Sequence, residues 1–333
     1  MPKFLIIRFS SIGDIVLTTP VIRCLKKQVK GAEVHFLTKK LFAPIVEHNP
    51  FIDKVHLLSF SWELMIQQLQ LENYDYIIDL HHNWRTLRIK NLLNVPSFSF
   101  NKLNVQKWIY TNLKLNLLPE AHIVERYLNT IKSFGVLNDG EGLDYFIEEK
   151  DVVQQVDIPS SHLFGFISIV IGAAHSTKKL PIKKLQELCI KINYPIILLG
   201  GKEDVLAGSE IAKVDTVKIY NACGKFKLNE SADLVRKSKL IISHDTGLMH
   251  IAAAFKKSII SVWGNTVPTF GMFPYYGKNV VPQFIAEVQH LKCRPCSKIG
   301  FQNCPKGHFN CMNLQRIDEI VSEVNTILNV IAK

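Results

Sequence analysis

Leu240-Ile241-Ile242-Ser243-His244-Asp245-Thr246-Gly247-Leu248-Met249-His250-Ile251-Ala252-Ala253-Ala254 decides the fold of this chain. A short apolar, β-branched run has the character of a buried strand, and the alanine-rich segment after it suits a helix packed closely on a sheet. Thr246 and Gly247 fall on the first turn of that helix, where backbone N–H groups have no intrahelical acceptor and a missing side chain lets a ligand approach. His250 follows Thr246 by four residues, so the two share one helical face. Read this way, the stretch is a βα unit with an anion site at its junction. The bland alternative is a capped, buried helix.

Outward from this stretch the same grammar repeats. In the second half, strands are expected at 164–171, 195–199, 217–220, 240–243 and 258–262, with helices at 181–192, 203–213, 229–237 and 246–255. The first half shows strands at 4–9, 33–37, 54–58 and 76–80, with helices near 20–30, 41–48 and 61–72. Alternation of this kind predicts an α/β protein with two Rossmann-like, doubly wound domains. The domains are drawn at 1–155 and 156–315, with a helix over 316–333 whose apolar stripe is Ile317, Ile320, Val321, Val324, Leu328 and Ile331. A dinucleotide fingerprint is missing, because Gly140-Glu141-Gly142 lacks both the preceding strand and the third glycine; a Walker phosphate loop is missing too.

The 333 residues carry 40 Lys plus Arg against 29 Asp plus Glu, a net charge of +11. The excess is uneven: residues 1–115 are net +7, 116–155 net −5 and 156–333 net +9. Two basic bodies flanking an acidic stretch suit anionic partners, but charge alone does not choose among nucleotide phosphates, nucleic acid and a membrane surface. No apolar run approaches the ~18 residues of a membrane span, and the opening run is cut by Arg8, so a cytoplasmic protein is expected.

Two other strand ends carry candidate chemistry. Arg8-Phe9-Ser10-Ser11-Ile12-Gly13-Asp14 leaves the first strand, and a carboxylate there could take a proton from a hydroxyl or could merely cap a helix. Gly172-Ala173-Ala174-His175-Ser176-Thr177-Lys178-Lys179-Leu180-Pro181 follows a strand of the second half and leads into a proline-started helix, a second clamp for phosphate. Asn83, Arg85 and Arg88, beyond a further strand, could meet an acidic acceptor or form an ordinary solvated helix. Trp108 and Tyr110, near Lys102, Lys107 and Lys114, could rest on a lipid surface or pack as core aromatics.

Taken together, Ser-Ser-Ile-Gly-Asp at 10–14 with Pro20, the Gly-Ala-x-x-x-x-Lys-Lys-x-Pro stretch, Asp245-Thr246-Gly247 with His250, and Trp263-Gly264 resemble glycosyltransferase family 9, the bacterial heptosyltransferase group. The likeness covers essentially the whole chain; Leu180 stands where the family commonly has Trp. The resemblance implies a GT-B architecture, two Rossmann-like domains facing a cleft with the C-terminal helix crossing back to the first. It implies an inverting, metal-independent transfer of a heptose or related sugar from an ADP-sugar donor to the lipopolysaccharide inner core or a related acidic glycolipid. Asp14 is then the base; Lys179, Asp245, Thr246, Gly247, His250, Ser176 and Thr177 contact the donor; Ser11, Gly13, Asn83, Arg85 and Arg88 contact the acceptor. The expected protein is a monomer without a nucleic-acid partner, cytoplasmic or peripheral on the inner membrane. Competing readings are a non-catalytic nucleotide-sugar or nucleic-acid binder and an epimerase-like enzyme using UDP-sugars.

Cys293, Cys296, Cys304 and Cys311, with His290 and His308 nearby, have the donor set of a compact zinc knuckle. Their irregular intervals suit buried thiols equally, and no cofactor is needed for the implied chemistry. Structural zinc and plain thiols both stand as expectations.

Overall fold

Leu240–His244 is a strand buried at every position, as a strand flanked on both sides within a parallel sheet must be. In this computed structural model, which describes residues 1–59 and 61–331, the chain forms two units. One comprises Met1–Lys102, Ala121–Glu148 and Gly277–Asn279; the other comprises Leu103–Glu120, Glu149–Tyr276 and the chain from Val280 onward.

The first unit is a five-stranded parallel sheet of β1 (Lys3–Ile7), β2 (Glu33–Thr38), β3 (Lys54–Leu57), β4 (Tyr76–Asp79) and β5 (Ser97–Ser99), in the order β3-β2-β1-β4-β5. The second is a six-stranded parallel sheet of β6 (Ile167–Val170), β7 (Ile196–Leu199), β8 (Ile219–Asn221), β9 (Leu240–His244), β10 (Ser258–Trp263) and β11 (Gln283–Glu287), in the order β11-β10-β9-β6-β7-β8. In each sheet the strand order reverses once, between β1 and β4 and between β6 and β9. Ligands of doubly wound sheets bind beyond the carboxyl ends of the strands at such a reversal. Among the described residues no helix is long and apolar enough to cross a membrane.

Two expectations need correction. A single cut at 155 places 103–120 in the first domain, but this segment sides with the second unit, where Lys114 Nζ donates to the carbonyl oxygens of Cys293 and Pro295 at 3.1 and 2.7 Å. The C-terminal helix, Ile317–Ile331, does not carry its stripe back to the first domain: Ile317, Ile320, Val324 and Ile327 are buried in the second unit's core. The helix Ile182–Lys191 and the β9–β11 edge of its own sheet already offer that stripe an apolar partner. Residues 332 and 333 of the expected helix lie outside the described residues. The break between the units after Glu148 lies close to the cut drawn at 155, and the acidic stretch before it is tied down: buried Arg23 in the helix Thr19–Gln28 holds Asp139 at 2.7 Å, also pairs with Asp144, and donates to Gly142 O at 2.8 Å.

Candidate functional site

The first reversal point is built around Arg8. Register pairs Ile7 with Asp79, so the residues just past β1 and β4 emerge side by side. The buried Arg8 guanidinium donates from Nε to Ser10 O at 2.8 Å and from Nη1 to Leu80 O at 2.5 Å, and its Nη2 sits 2.7 Å from Asp14 Oδ1. Burial opposes that charge, but Tyr127, Asp14 and Asp79 together hold Arg8 above its ordinary value. Asp14 Oδ2 accepts from Ser11 Oγ at 2.7 Å and Ser11 N at 3.2 Å. Ser11 is the N-cap of the helix Ile12–Val16 and Asp14 its third residue, a carboxylate that closes the first turn and remains one-fifth exposed, with its direction fixed by an arginine and a serine.

Asp79 is fully buried and accepts from the backbone N–H of His81 and His82 at 3.1 and 2.6 Å, with Lys90 Nζ at 3.1 Å. It thereby shapes the turn that sets His81 against Phe9, with ring centroids 4.8 Å apart. Burial, then Arg8, pushes the His81 imidazole down to about 4, so it is neutral at pH 7. Arg8, Asp79 and His81 carry no role in the sequence reading; the available signal was a charged residue directly after a fully apolar strand. Asn83 needs correction in emphasis, since its Oδ1 accepts from Thr86 N at 3.0 Å as the cap of the helix Trp84–Leu93. Arg88 lies over the Trp62 ring at 4.7 Å and Arg85 is exposed, so the two are not gathered with Asp14 by any shared contact described.

The second reversal point gathers two lysines and two carboxylates. Lys178 Nζ is 2.5 Å from Asp245 Oδ2, which also accepts from Thr266 Oγ1 at 3.0 Å. Lys179 Nζ is 2.6 Å from Oδ1 of the buried Asp204, whose Oδ2 accepts from Gly201 N at 2.9 Å. Gly172 and Gly200 make room for this carboxylate: a Cβ on Gly172 would lie 2.5 Å from Asp204 Oδ2, and one on Gly200 2.8 Å from Asp204 Cβ. His244 Nε2 accepts from Leu180 N at 2.9 Å, which puts the ring proton on Nδ1; burial, then Lys179, holds this imidazole near 4. Leu180, at the family's Trp position, is buried in the core.

Thr246 is the N-cap of the helix Gly247–Ala254, its hydroxyl 3.2 Å from Ser243 Oγ, and His250 is buried one turn later. Of the expected donor residues, Thr177 is corrected: its hydroxyl donates to Phe301 O at 2.9 Å and accepts from Phe301 N at 2.8 Å, making it a tie to the cysteine-rich segment. Ser176 Oγ reaches Gln302 Oε1 at 3.1 Å. Asp204 and Thr266, which hold Lys179 and Asp245, carry no role in the sequence reading. What results is a helix amino terminus beside two ammonium groups whose present partners are carboxylates, an arrangement in which an arriving diphosphate can replace carboxylate oxygens.

All seven cysteines are free thiols, and among the described residues Cys293, Cys296, Cys304 and Cys311 do not converge to metal-ligand spacing. Burial pushes Cys296 up to about 12 and Cys311 up to about 11, so both are protonated at neutral pH. The cluster that could hold a metal ion is His35, His56 and Glu72, unmarked in the sequence reading. It lies toward the amino ends of β1 to β4, opposite Asp14. His35 Nε2 is 2.8 Å from Glu33 Oε1, which leaves Nδ1 facing His56 Nε2 at 3.2 Å, while Lys3 and Lys54 both hold Glu72.

The pattern of glycosyltransferase family 9 (heptosyltransferase) matches residues 62–301. The chain is 35% identical over 323 residues to lipooligosaccharide heptosyltransferase 2 of Haemophilus influenzae, covering 90% of this chain and 93% of that one. The solved ADP-heptose lipopolysaccharide heptosyltransferase II of Escherichia coli is similar with a TM-score of 0.76 at 18% identity, over 99% of this chain and 100% of that one. An Escherichia coli heptosyltransferase solved with ADP has a TM-score of 0.69 at 20% identity, over 98% and 99% of the two chains. The family pattern, the relative and the fold agree, and the chain belongs to glycosyltransferase family 9, the heptosyltransferases.

Proposed function

We propose that this chain transfers a heptose from ADP-heptose to the inner core of lipopolysaccharide, with inversion at the anomeric carbon and no metal ion in the chemistry. The observation that carries the reading is the second reversal point, where Lys178 and Lys179 stand beside the amino terminus of the helix Gly247–Ala254. Charge developing on a departing diphosphate needs fixed positive partners, and two ammonium groups with a helix dipole supply them without a divalent ion. The acceptor hydroxyl attacks the anomeric carbon and gives its proton to Asp14, a new C–O bond forms, and the bond to the diphosphate breaks to release ADP. Arg8 and Ser11 aim the Asp14 carboxylate. Asp245, Thr246, Gly247, His250 and Ser176 are assigned to the donor with the lysines; Ser11, Gly13, Arg85 and Arg88 to the acceptor. The enzyme works as a monomer at the cytoplasmic face of the inner membrane.

Any bound metal is structural in this reading. Zinc analysis of reduced wild type against Cys304→Ser and His35→Ala assigns it to the cysteine segment or to the His35 cluster. The decisive test is Asp14→Asn, which should lower transfer on the order of 10² to 10⁴ while calorimetric ADP affinity stays at the wild-type value and circular dichroism shows the fold intact. A chelator should leave the wild-type rate unchanged. Wild-type turnover in Asp14→Asn would sink the base assignment, and activity restored by Mg²⁺ after chelation would sink the metal-free route.

A further inference from the structure

The helix Asn104–Leu113 has no buried residue. One side rests on the second unit, where Tyr110 meets the Phe270 ring with centroids 6.0 Å apart; apolar groups left exposed on the rest of an amphipathic helix are open to a partner. Val105 and Trp108, three residues apart on one face, are 68% and 59% exposed, and the chain continues through Leu113, Leu115 and Leu117 at 57 to 60%. This helix is tied to the segment around 293–299: Lys114 Nζ donates to the carbonyl oxygens of Cys293 and Pro295, and Lys298 Nζ donates to Asn104 Oδ1 at 3.3 Å. Ile299, 56% exposed, adds to the same surface.

Its charge is one-signed. Residues 288–317 contain five basic residues and no acidic one. Arg294 is internal, paired with Glu287 at 2.8 Å, but Lys292, Lys298 and Lys306 are exposed. Lys102 precedes the helix, Lys107 lies within it and Lys114 follows it, with Glu120 the single acid in 101–120.

We propose that this surface docks the second unit on an anionic phospholipid bilayer. Exposed Trp and Leu side chains bordered by lysines are the composition that settles at a headgroup boundary, the apolar groups entering the acyl edge while the ammonium groups meet lipid phosphates. Ten helical residues span about 15 Å, half a hydrocarbon core, so the helix lies along the interface and does not cross it. Its exposed bases, Lys292, Lys298 and Lys306 among them, complement a sheet of phosphates.

The test is flotation of the full chain with vesicles of phosphatidylcholine alone and of phosphatidylcholine with phosphatidylglycerol, both free of lipopolysaccharide, so that a glycolipid acceptor is not the source of binding. The wild type should float with the anionic vesicles, less so as salt is raised, and stay unbound with the neutral ones. Lys107→Glu and Lys298→Glu should each weaken partition on the order of ten-fold. Trp108→Ser with Leu117→Ser should abolish it; Leu115→Ser is the second variant should that pair perturb the fold by circular dichroism. Trp108→Phe should keep binding but lose the fluorescence blue shift that vesicles induce. Equal recovery with both vesicle types, or unchanged flotation of the serine variants, would overturn the proposal. So would association that requires an added acidic protein.

Discussion

Lys179 and Asp204 show how one pair can serve both the fold and the ligand. Asp204 is 3% exposed, so its charge is tolerable only because an ammonium group stands 2.6 Å away. Lys179→Ala is therefore expected to do two things at once. It strands a buried carboxylate, costing about 3–5 kcal/mol of stability, and it removes a charge-assisted contact to the diphosphate, worth about 1.5–3 kcal/mol of ADP affinity. Lys179→Met combined with Asp204→Asn separates them: denaturant midpoints should recover most of the stability while calorimetry still shows weak ADP binding. Recovery of both would mean that Lys179 acts on the fold alone. The run Lys178-Lys179 stands out in the sequence, but it does not say which acid each lysine takes. Asp204 lies 25 residues away across another βα unit, and its access depends on the missing side chains of Gly172 and Gly200.

At the level of elements, the legible parts were those where burial is complete. β1, β6, β7 and β9 read as unbroken apolar runs because each is hidden on both faces. β5 and β11 escaped notice because neither is an apolar run, Ser97–Ser99 being three residues with serine at both ends and Gln283–Glu287 polar at both ends and mostly exposed or half-covered. Where a helix is expected at 41–48, Lys40–Ile45 is 3₁₀, because Pro44 lacks the N–H that an α-helix needs. The stripe of the last helix was readable and its partner was not, since periodicity names a face and never what covers it. The tie that holds the acidic stretch is hidden from the sequence for a similar reason, as its partner Arg23 sits more than a hundred residues away. Arg23 is buried and holds both Asp139 and Asp144. Burial keeps Asp144 above its ordinary carboxylate value even so, while Arg23 draws Asp139 down to about 2. Arg23→Ala should destabilise the first unit by about 3–5 kcal/mol, read as a lower denaturant midpoint; a change under about 0.5 kcal/mol, the range of surface substitutions, would show the tie to be incidental.

The whole molecule places neutral buried imidazoles in both units, and this fixes how it should respond to acid. His56 and His81 in the first unit and His244 in the second are each lowered from 6.5 to about 4, with burial the leading cause. Between those values the unfolded chain binds protons that the native chain refuses, so stability rises with pH: it is fully present above 6.5 and drains as pH falls toward 4. Each imidazole contributes a slope of up to about 1.4 kcal/mol per pH unit in that window. Asp144 opposes them, because a carboxyl held above its ordinary value favours the native state as it protonates. The lowered carboxylates Glu72 and Asp139, near 2, add their own loss only below the ordinary carboxylate range. The first unit carries two of the three imidazoles, so its unfolding transition should fall faster than the second's as melts are taken from pH 7.5 down to about pH 4.5. ADP tells the transitions apart. The residues assigned to the donor all belong to the second unit, so saturating ADP should raise that transition alone, by about 2.7 kcal/mol at a hundred times its dissociation constant. His81→Gln should then flatten the pH slope of the ADP-insensitive transition and leave the other unchanged. Melting temperatures that are level across this window in both transitions would show that these imidazoles are not held neutral by the fold.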